Sequence, residues 1–288
     1  GKGALASESS KVVPSFELSI ATMRFALAAR TSAGNAAPKT PAPRQSSRSR
    51  RSMPPGLACA PRLGQRKPSK IVKEDTLVIH EIYESVQGES TFAGVPCAFV
   101  RLTGCNLRCS WCDTEKAFYG GTRMNRSEVL EKALAFGTPL VELTGGEPLL
   151  QPGTIPLLRE LCDAGRTVLI ETSGEADVSQ VDARVHKIMD LKAPGSGESH
   201  RNRWENLGHI GNTDEIKFVL KDRADYDWMK ATISSRNLPA LGCALLVSPV
   251  WGSLDPKDLV KWLLEDKLPV RLNMQIHKVV WGATAQGV

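Results

Sequence analysis

The sequence predicts an α/β fold with a mostly parallel sheet and helices outside it. From Leu77 onward, short apolar runs alternate with amphipathic stretches, which is typical of strands connected by helices. Three chemically rich segments directly follow such apolar runs, so we expect them at the carboxyl ends of strands. No internal repeat or Gly-rich linker divides residues 75–288, which we therefore expect to form one domain.

Eight strands and four helices are predicted in residues 75–288. The strands are expected at Leu77–Ile82, Ala98–Leu102, Leu140–Leu143, Thr167–Ile170, Lys187–Leu191, Glu215–Leu220, Ala244–Ser248 and Val270–Gln275. The helices are expected at Ser127–Phe136, Ile155–Ala164, Arg223–Ile233 and Asp255–Leu264. End signals support three of the helices: Asn125 with Glu128 before the first, Gly165 after the second, and Asp255 with Pro256 at the last.

Charge separates the first 74 residues from the rest of the chain. Residues 1–74 hold 14 Lys or Arg against three Asp or Glu, whereas residues 75–288 hold 23 against 28. The tail is rich in Ala, Ser, Pro and Arg without apolar periodicity, so we interpret it as disordered. An organellar targeting segment is one explanation; we favour a solvated tail or a start site assigned too far upstream. We expect a cytoplasmic protein unless the tail directs it to an organelle.

Three of the seven cysteines form one short motif. Cys105, Cys109 and Cys112 have the spacing C-x3-C-x2-C, and no secretory signal accompanies them, which favours metal ligation over disulfides. A structural zinc site requires four ligands, and the only further sulfur nearby is Cys97. Three thiolates on a four-iron cluster would leave one iron open to another ligand. We expect Cys59, Cys162 and Cys243 to lie in the tail, on a helix face and at a strand start.

The cysteine motif after a strand, followed by Thr144-Gly-Gly-Glu-Pro148 after the next, resembles the radical S-adenosylmethionine superfamily. The resemblance implies a partial (β/α) barrel, a [4Fe-4S] cluster on Cys105, Cys109 and Cys112, and S-adenosylmethionine as cofactor. The two glycines would let backbone groups approach the amino group of that cofactor.

A narrower resemblance covers residues 78–288 and is to the 7-carboxy-7-deazaguanine synthase family. Its segments include Glu81-Ile-Tyr-Glu-Ser-Val-Gln-Gly-Glu-Ser90, Glu171-Thr-Ser-Gly174 and Gln275-Ile-His-Lys278. The resemblance implies a lyase that contracts 6-carboxy-5,6,7,8-tetrahydropterin to 7-carboxy-7-deazaguanine with loss of ammonia, in queuosine and 7-deazapurine biosynthesis. It also implies Mg²⁺, an electron donor such as flavodoxin or ferredoxin, and a homodimer. Nucleic-acid and membrane partners are not expected.

Site residues are carried over from the family position by position, with no catalytic side chain besides the cluster ligands. Substrate contacts are expected from Val86, Gln87, Gly88, Arg101, Thr144 and Val288. S-adenosylmethionine contacts are expected from Gly146, Glu147, Asp190, Leu191, Lys192, Lys217, Phe218, Val219 and Leu220.

Other positions carry narrower or open assignments. Thr114 corresponds to the Mg²⁺ ligand of the family. Glu171 could reach the cofactor or pair with a lysine, and His277 could pack in the core or take part in catalysis. Ser90 stands where many members have Gly, and the 74-residue tail has no counterpart in the family.

Two alternatives compete with this assignment. Another radical S-adenosylmethionine enzyme, such as a glycyl-radical activase, would share the cysteine loop but would not explain Arg101 or the Gln-Ile-His-Lys segment. A zinc-stabilised RNA-binding module would use the basic tail, but the fourth zinc ligand is missing and residues 75–288 are acidic.

Overall fold

A computed structural model describes residues 75–285 and Gly287. The strands among them are β1 Thr76–Val86, β2 Pro96–Leu102, β3 Thr122–Asn125, β4 Leu140–Gly145, β5 Thr167–Thr172, β6 His186–Asp190, β7 Glu215–Leu220, β8 Ala244–Pro249 and β9 Arg271–Leu272. The helices are α1 Arg126–Ala135, α2 Thr154–Asp163, α3 Arg223–Ser235, α4 Pro256–Asp266 and α5 Ile276–Trp281. Short 3₁₀ turns connect several of these elements.

All of these strands join one open sheet in the order β3-β1-β2-β4-β5-β6-β7-β8-β9. β1 pairs antiparallel with both β2 and β3, and every pair from β2 to β9 is parallel. The sheet does not close, as expected for a partial barrel. The prediction of a mostly parallel α/β sheet is therefore confirmed.

The residues predicted to begin or end helices lie at the helix ends in the structure. The Glu128 carboxylate accepts a hydrogen bond from the Asn125 backbone at the start of α1. Asp255 accepts from the Lys257 backbone N–H at the start of α4, where Pro256 is the first helical residue. Gly165 follows α2 with a φ of +75°, the left-handed conformation that ends a helix and favours glycine.

The two faces of the sheet bury different residues. On the outer face, one apolar cluster packs β1, β2, β4 and β5 against α1 and α2, and a second packs β6 to β8 against α3 and α4. On the inner face, a smaller cluster contains Cys97, Phe99, Leu140, Leu169 and Ile188. Since side chains alternate along a strand, the residues beside these five on the inner face can surround a cavity.

The structure differs from the predicted elements at three places. β3 is an exposed polar edge strand beside β1, so it lacks the apolar alternation by which strands are recognised. The strand predicted at Val270–Gln275 is limited to β9, and just beyond it the buried Asn273 side chain donates to Ser248 and Glu89. Helix α5 begins at Ile276 and was not predicted. Its apolar side chains Val279, Val280 and Trp281 are exposed and follow one another directly, so they lack the spacing of an amphipathic helix.

The expectations for the tail and for membrane-spanning helices are limited by which residues the structure describes. The tail at residues 1–74 and Cys59 lie outside the described residues. None of the helices that the structure describes is both long and apolar enough to cross a membrane.

Helix α4 offers a matched test of the outer core. Leu259 is fully buried, whereas Leu264 on the same helix is 72% exposed. We expect Leu259→Ala to lower the free energy of unfolding by about 2–5 kcal/mol because it leaves a cavity. Leu264→Ala is expected to change it by about 0.5 kcal/mol or less. Urea denaturation measures both, and equal losses would contradict this packing.

Candidate active site

A cavity of about 720 Å³ lies at the carboxyl ends of the parallel strands. Several separate segments contribute to its walls, because parallel strands deliver their following loops to one edge of the sheet. These lining residues include Gln87, Arg101, Cys105, Cys109, Cys112, Thr144, Glu171, Asp190, Lys217 and His277. The convergence expected from the sequence is therefore present in the structure.

The cysteine loop, residues 105–112, follows β2 and is held by hydrogen bonds and by a ring contact. The Cys105, Cys109 and Cys112 thiols are free, half-buried and open to the same cavity. The Leu107 backbone N–H donates to Cys105 Sγ at 3.5 Å. On the outer side, the Arg108 guanidinium donates to the Cys105 carbonyl at 2.8 Å and lies 4.3 Å from the centre of the Phe118 ring.

The donor set fits a four-iron cluster. Among the described residues, no group of three His, Cys, Asp or Glu side chains is close enough to hold a single metal ion. An iron–sulfur cluster spreads its thiolates over separate irons, so three cysteines on an open loop suit it better than a closed zinc site. Burial raises the pKa of all three thiols, so binding of iron there would release their protons. Cys97 is buried in β2 and does not line the cavity.

The two glycines at the end of β4 are required by close contacts with β2 and the cysteine loop. A Cβ atom at Gly146 would lie 2.2 Å from the Gly104 carbonyl oxygen and 2.7 Å from Cys105 Cβ. A Cβ atom at Gly145 would lie 2.3 Å from the carbonyl oxygen of Leu102 at the end of β2, and the φ of Gly145 is +151°. These contacts demand glycine at both positions before any cofactor is considered.

Arg101 is held at the cavity wall by two neighbours on β1. Its Nε donates to Glu81 at 2.7 Å and its guanidinium donates to the Tyr83 hydroxyl at 3.0 Å. Lys116 also pairs with Glu81, at 3.2 Å. Burial lowers the pKa of Arg101, but the neighbouring Tyr83 and Glu81 outweigh that effect, and the guanidinium stays charged.

Lys217 is the centre of the charged cluster inside the cavity. This β7 side chain is 4% exposed, and its ammonium group pairs with Glu89 at 3.0 Å, with Glu171, and with Asp190 at 3.5 Å. Burial lowers its pKa, but the carboxylates of Asp190, Glu171 and Glu89 together raise the pKa well above the usual value. Glu171, left open between two roles by the sequence, pairs with this lysine and also lines the cavity, so a contact with the cofactor stays a prediction.

Thr144 and Lys192 extend this cluster towards the cysteines. The Thr144 hydroxyl donates to Glu171 at 3.0 Å. Lys192 Nζ pairs with Asp190 at 2.5 Å, and its backbone is fixed by the Asn202 side chain. Lys192 also favours the thiolate of Cys109, because an ammonium group stabilises a nearby negative charge.

The segment after β1, residues 87–90, includes two of the substrate contacts predicted from the sequence, Gln87 and Gly88, and is called the substrate loop for that reason. Both polar atoms of the Gln87 side-chain amide form hydrogen bonds. The oxygen accepts from the Glu89 backbone N–H at 2.5 Å, and the nitrogen donates to the Glu142 carboxyl group. Ser90 has a φ of +63°, in the left-handed region that favours glycine. Its hydroxyl accepts from the Phe92 backbone at 3.0 Å and compensates part of that strain.

Residues 275–278 join the substrate loop to the cysteine loop. Gln275 donates to Glu89 at 2.8 Å and to Asp113 at 3.3 Å, and Lys278 pairs with Asp113 at 2.6 Å. The His277 ring packs on Gly88, where a Cβ atom would lie 2.1 Å from Nδ1. Burial lowers the pKa of His277, which favours its neutral form.

Some predicted site residues do not line the cavity. Leu191, Phe218 and Leu220 are buried in the outer core. On β7, alternation along the strand points Lys217 and Val219 towards the cavity and Phe218 and Leu220 away from it. The Glu147 side chain is also buried; it accepts from Thr172, Ser173 and Leu149 and holds the loop after β4. The remaining described positions, among them Val86, Gly88, Gly146 and Thr114, line the cavity, whereas Val288 lies outside the described residues.

Sequence reasoning missed several residues at this site. Glu142 lines the cavity and belongs to no quoted motif, and Tyr83 lines it from within a quoted segment that gave it no role. Glu89 was within a quoted segment without an assigned function. A signal existed for Glu142: it is an acidic residue inside an otherwise apolar strand, where a carboxylate is rarely buried without a purpose.

Comparisons with known proteins define the class. Residues 99–195 match the family model of the Radical SAM superfamily. The structure of QueE from Escherichia coli aligns with a TM-score of 0.57 and 21% identity, over 69% of this chain and 94% of that one. The fold and the three-cysteine loop are thus those of a radical S-adenosylmethionine enzyme, which uses a [4Fe-4S] cluster and S-adenosylmethionine.

Curated relatives define the family within that class. The 7-carboxy-7-deazaguanine synthase of Chlorobaculum tepidum is 48% identical over 219 residues, which cover 75% of this chain and 99% of the relative. The synthase of the same name from Koribacter versatilis is 45% identical over 225 residues, covering 73% and 99%. The chain belongs to the 7-carboxy-7-deazaguanine synthase family.

The buried charge cluster can be tested by removing its cation. We expect Lys217→Met to lower the free energy of unfolding by about 3–5 kcal/mol at pH 7, because Glu89, Glu171 and Asp190 lose their shared partner. The loss should shrink as the pH falls towards about 4, because the charge of Lys217 lowers the pKa of Glu89 and Asp190, and without it these two carboxylates take up protons more readily. Titration of Lys217 itself acts only at alkaline pH: the stability gained from its raised pKa is present below about pH 10 and is lost as the pH rises through the higher folded-state value.

Lys230 provides the matched control for that substitution. Its side chain pairs with Asp266 but is 44% exposed. Lys230→Met is expected to cost about 1 kcal/mol or less, because water screens an exposed pair. Denaturant unfolding at pH 4, 7 and 9 compares the two variants, and similar costs would contradict the burial of Lys217.

Proposed function

We propose that this chain converts 6-carboxy-5,6,7,8-tetrahydropterin to 7-carboxy-7-deazaguanine with loss of ammonia. The observation that carries the proposal is one cavity shared by the three cysteine thiols, Arg101 and the substrate loop. A cluster ligand set and a separate anion-binding group in the same cavity fit a radical reaction on a carboxylated substrate. The name of the curated relatives supports the same reaction.

The cavity provides complementary groups for such a substrate. The Arg101 guanidinium, fixed by Glu81 and Tyr83, suits the substrate carboxylate because its fork can donate two parallel hydrogen bonds. The carboxylates of Glu89 and Glu171, which also line the cavity, suit N–H donors of the heterocycle. When bound, the cluster and S-adenosylmethionine supply the one-electron cleavage that starts a radical reaction.

The decisive experiment is anaerobic reconstitution with iron and sulfide, followed by incubation with reductant, S-adenosylmethionine, Mg²⁺ and the pterin. Mass spectrometry should detect both 5′-deoxyadenosine and 7-carboxy-7-deazaguanine. We expect Cys109→Ala to abolish both products and the cluster absorbance, because no other described cysteine lines the cavity besides Cys105 and Cys112.

Cys162→Ala is the matched control, since this thiol lies on α2 away from the cavity and should leave both products unchanged. Formation of 5′-deoxyadenosine without the deazaguanine would refute the substrate while preserving the class. Such a result would favour another radical S-adenosylmethionine enzyme, such as a glycyl-radical activase. Binding of zinc without cluster formation would refute the cluster as well.

We further propose that Thr114 supplies a protein ligand to Mg²⁺. Its side chain lines the cavity two residues after Cys112, and its hydroxyl donates to Asp113 at 2.9 Å. One hydroxyl ligand with water and substrate oxygens in the other positions is typical of Mg²⁺. The neighbouring Asp113 is already fixed by Lys278 and adds negative charge beside the site.

Thr114→Ala should raise the Mg²⁺ concentration for half-maximal turnover on the order of tenfold, because the ion loses its protein ligand. Thr114→Ser retains the hydroxyl and should remain within about twofold of the wild type. Steady-state turnover against Mg²⁺ concentration distinguishes the two variants. An unchanged Mg²⁺ requirement in Thr114→Ala would exclude this ligand.

The remaining expectations stay proposals. A small electron-transfer protein such as flavodoxin or ferredoxin is the proposed reductant, and a homodimer is the proposed assembly. We keep Val288 as a proposed substrate contact, since Gly287 lines the cavity close to Glu81. The proposed role of residues 1–74 as a solvated tail, targeting segment or upstream extension also stays open.

A further inference from the structure

Glu142 is a buried acid in the centre of the sheet that the proposed reaction does not yet use. It lies on the inner face of β4, beside Phe99 on β2 and Leu169 on β5. The side chain is 2% exposed and borders the floor of the cavity. An acidic residue at such a position requires a partner, because a buried carboxyl group without one is costly.

Its partner is the substrate loop. Among the described residues, the Glu142 side chain has one hydrogen bond, from the Gln87 side-chain nitrogen. The Gln87 oxygen in turn accepts from the Glu89 backbone. Because an amide has distinct donor and acceptor ends, an acceptor at Glu142 selects one of the two orientations of Gln87.

The electrostatics around Glu142 favour a neutral acid. Burial and then the Glu171 carboxylate raise the pKa of Glu142 to about 8, against the opposing effects of Gln87 and Lys217. Tyr83 and Cys97 also face it and are influenced by its charge. At pH 7 the group therefore acts on Gln87 mainly as a neutral acceptor, which an amide can imitate.

We infer that Glu142 is a positioning residue for the substrate: its carboxyl group holds the Gln87 amide in one orientation and thereby fixes the substrate loop over the cavity. This inference rests on the proposed function for its effect on turnover. The same bond also sets the place of Glu89, which pairs with Lys217 and accepts from Gln275. Glu142 thus acts on the reaction through Gln87 without touching the reacting atoms.

Three variants of Glu142 distinguish the effect of its hydrogen bond with Gln87 from the effects of its buried volume and its acidity. Glu142→Gln keeps an acceptor at the same distance and should retain a KM for the pterin within about twofold of the wild type. Glu142→Met keeps the volume without an acceptor, and Glu142→Asp keeps the acid but shortens its reach. Both should raise KM about five- to tenfold, the factor of one hydrogen bond, with kcat and cluster content close to wild type.

A double-mutant cycle tests whether the effect passes through Gln87. Gln87→Ala removes the group that Glu142 orients, so adding Glu142→Met to it should cause no further rise in KM. If the two increases multiply, Glu142 acts independently of Gln87 and the inference is wrong. The inference is also wrong if Glu142→Gln is impaired as strongly as Glu142→Met.

Hydrogen exchange supplies a readout that needs neither substrate nor turnover. In the folded protein the Glu89 amide donates to Gln87, and the Gly94 amide donates to the Gln87 carbonyl at 2.7 Å. Both should exchange faster in Glu142→Met and Glu142→Asp but not in Glu142→Gln. The Lys267 amide at the end of α4 is the internal control, because it lies outside this network.

The experiments distinguish failure of the proposed function from failure of the positioning role of Glu142. If wild-type protein does not convert the pterin, the proposed function fails, while hydrogen exchange still decides whether Glu142 positions the loop. If wild-type protein converts it and both Glu142→Met and Glu142→Asp keep wild-type KM and exchange rates, the positioning role fails alone. Should Glu142→Met not fold, the Glu142→Asp comparison decides.

Discussion

The ammonium group of Lys217 on β7 joins the substrate loop to the neighbouring strands β5 and β6 inside the cavity. It draws in Glu89 from the substrate loop, Glu171 from β5 and Asp190 from β6. Three carboxylates around one cation leave an excess of negative charge, which Lys192 partly balances through Asp190. An interior of this kind forms only when every member has its partner, so the cluster constrains the geometry of the whole cavity.

The strand alternation explains how one sheet serves both stability and chemistry. Outward side chains of β4 to β8 pack under the helices, while inward side chains at the same strands meet the cavity. The inner apolar cluster is small, so polar groups such as Glu142 and Lys217 lie directly above it. Stability is therefore concentrated on the outer face, and the inner face is free to carry buried charges at a cost in folding free energy.

Much of this arrangement follows from the sequence, for identifiable reasons. The parallel strands, the capped helices and the cysteine loop were predictable because each leaves a local pattern of spacing. The bonds of Glu142 to Gln87 and of Gln275 to Glu89 were not, since 55 and 186 residues separate the partners. Leu191, Phe218 and Leu220 were predicted as cofactor contacts, but their side chains point into the outer core. Which face of the sheet each of these residues occupies was not considered in that prediction.

Residues 275–278 clamp two loops that are separated from them by more than 160 residues. Contacts of such sequence separation carry a large cost in chain entropy, because a long stretch of chain must be ordered to bring their ends together. The Gln275 and Lys278 side chains bear this cost where they contact Asp113, one residue after Cys112.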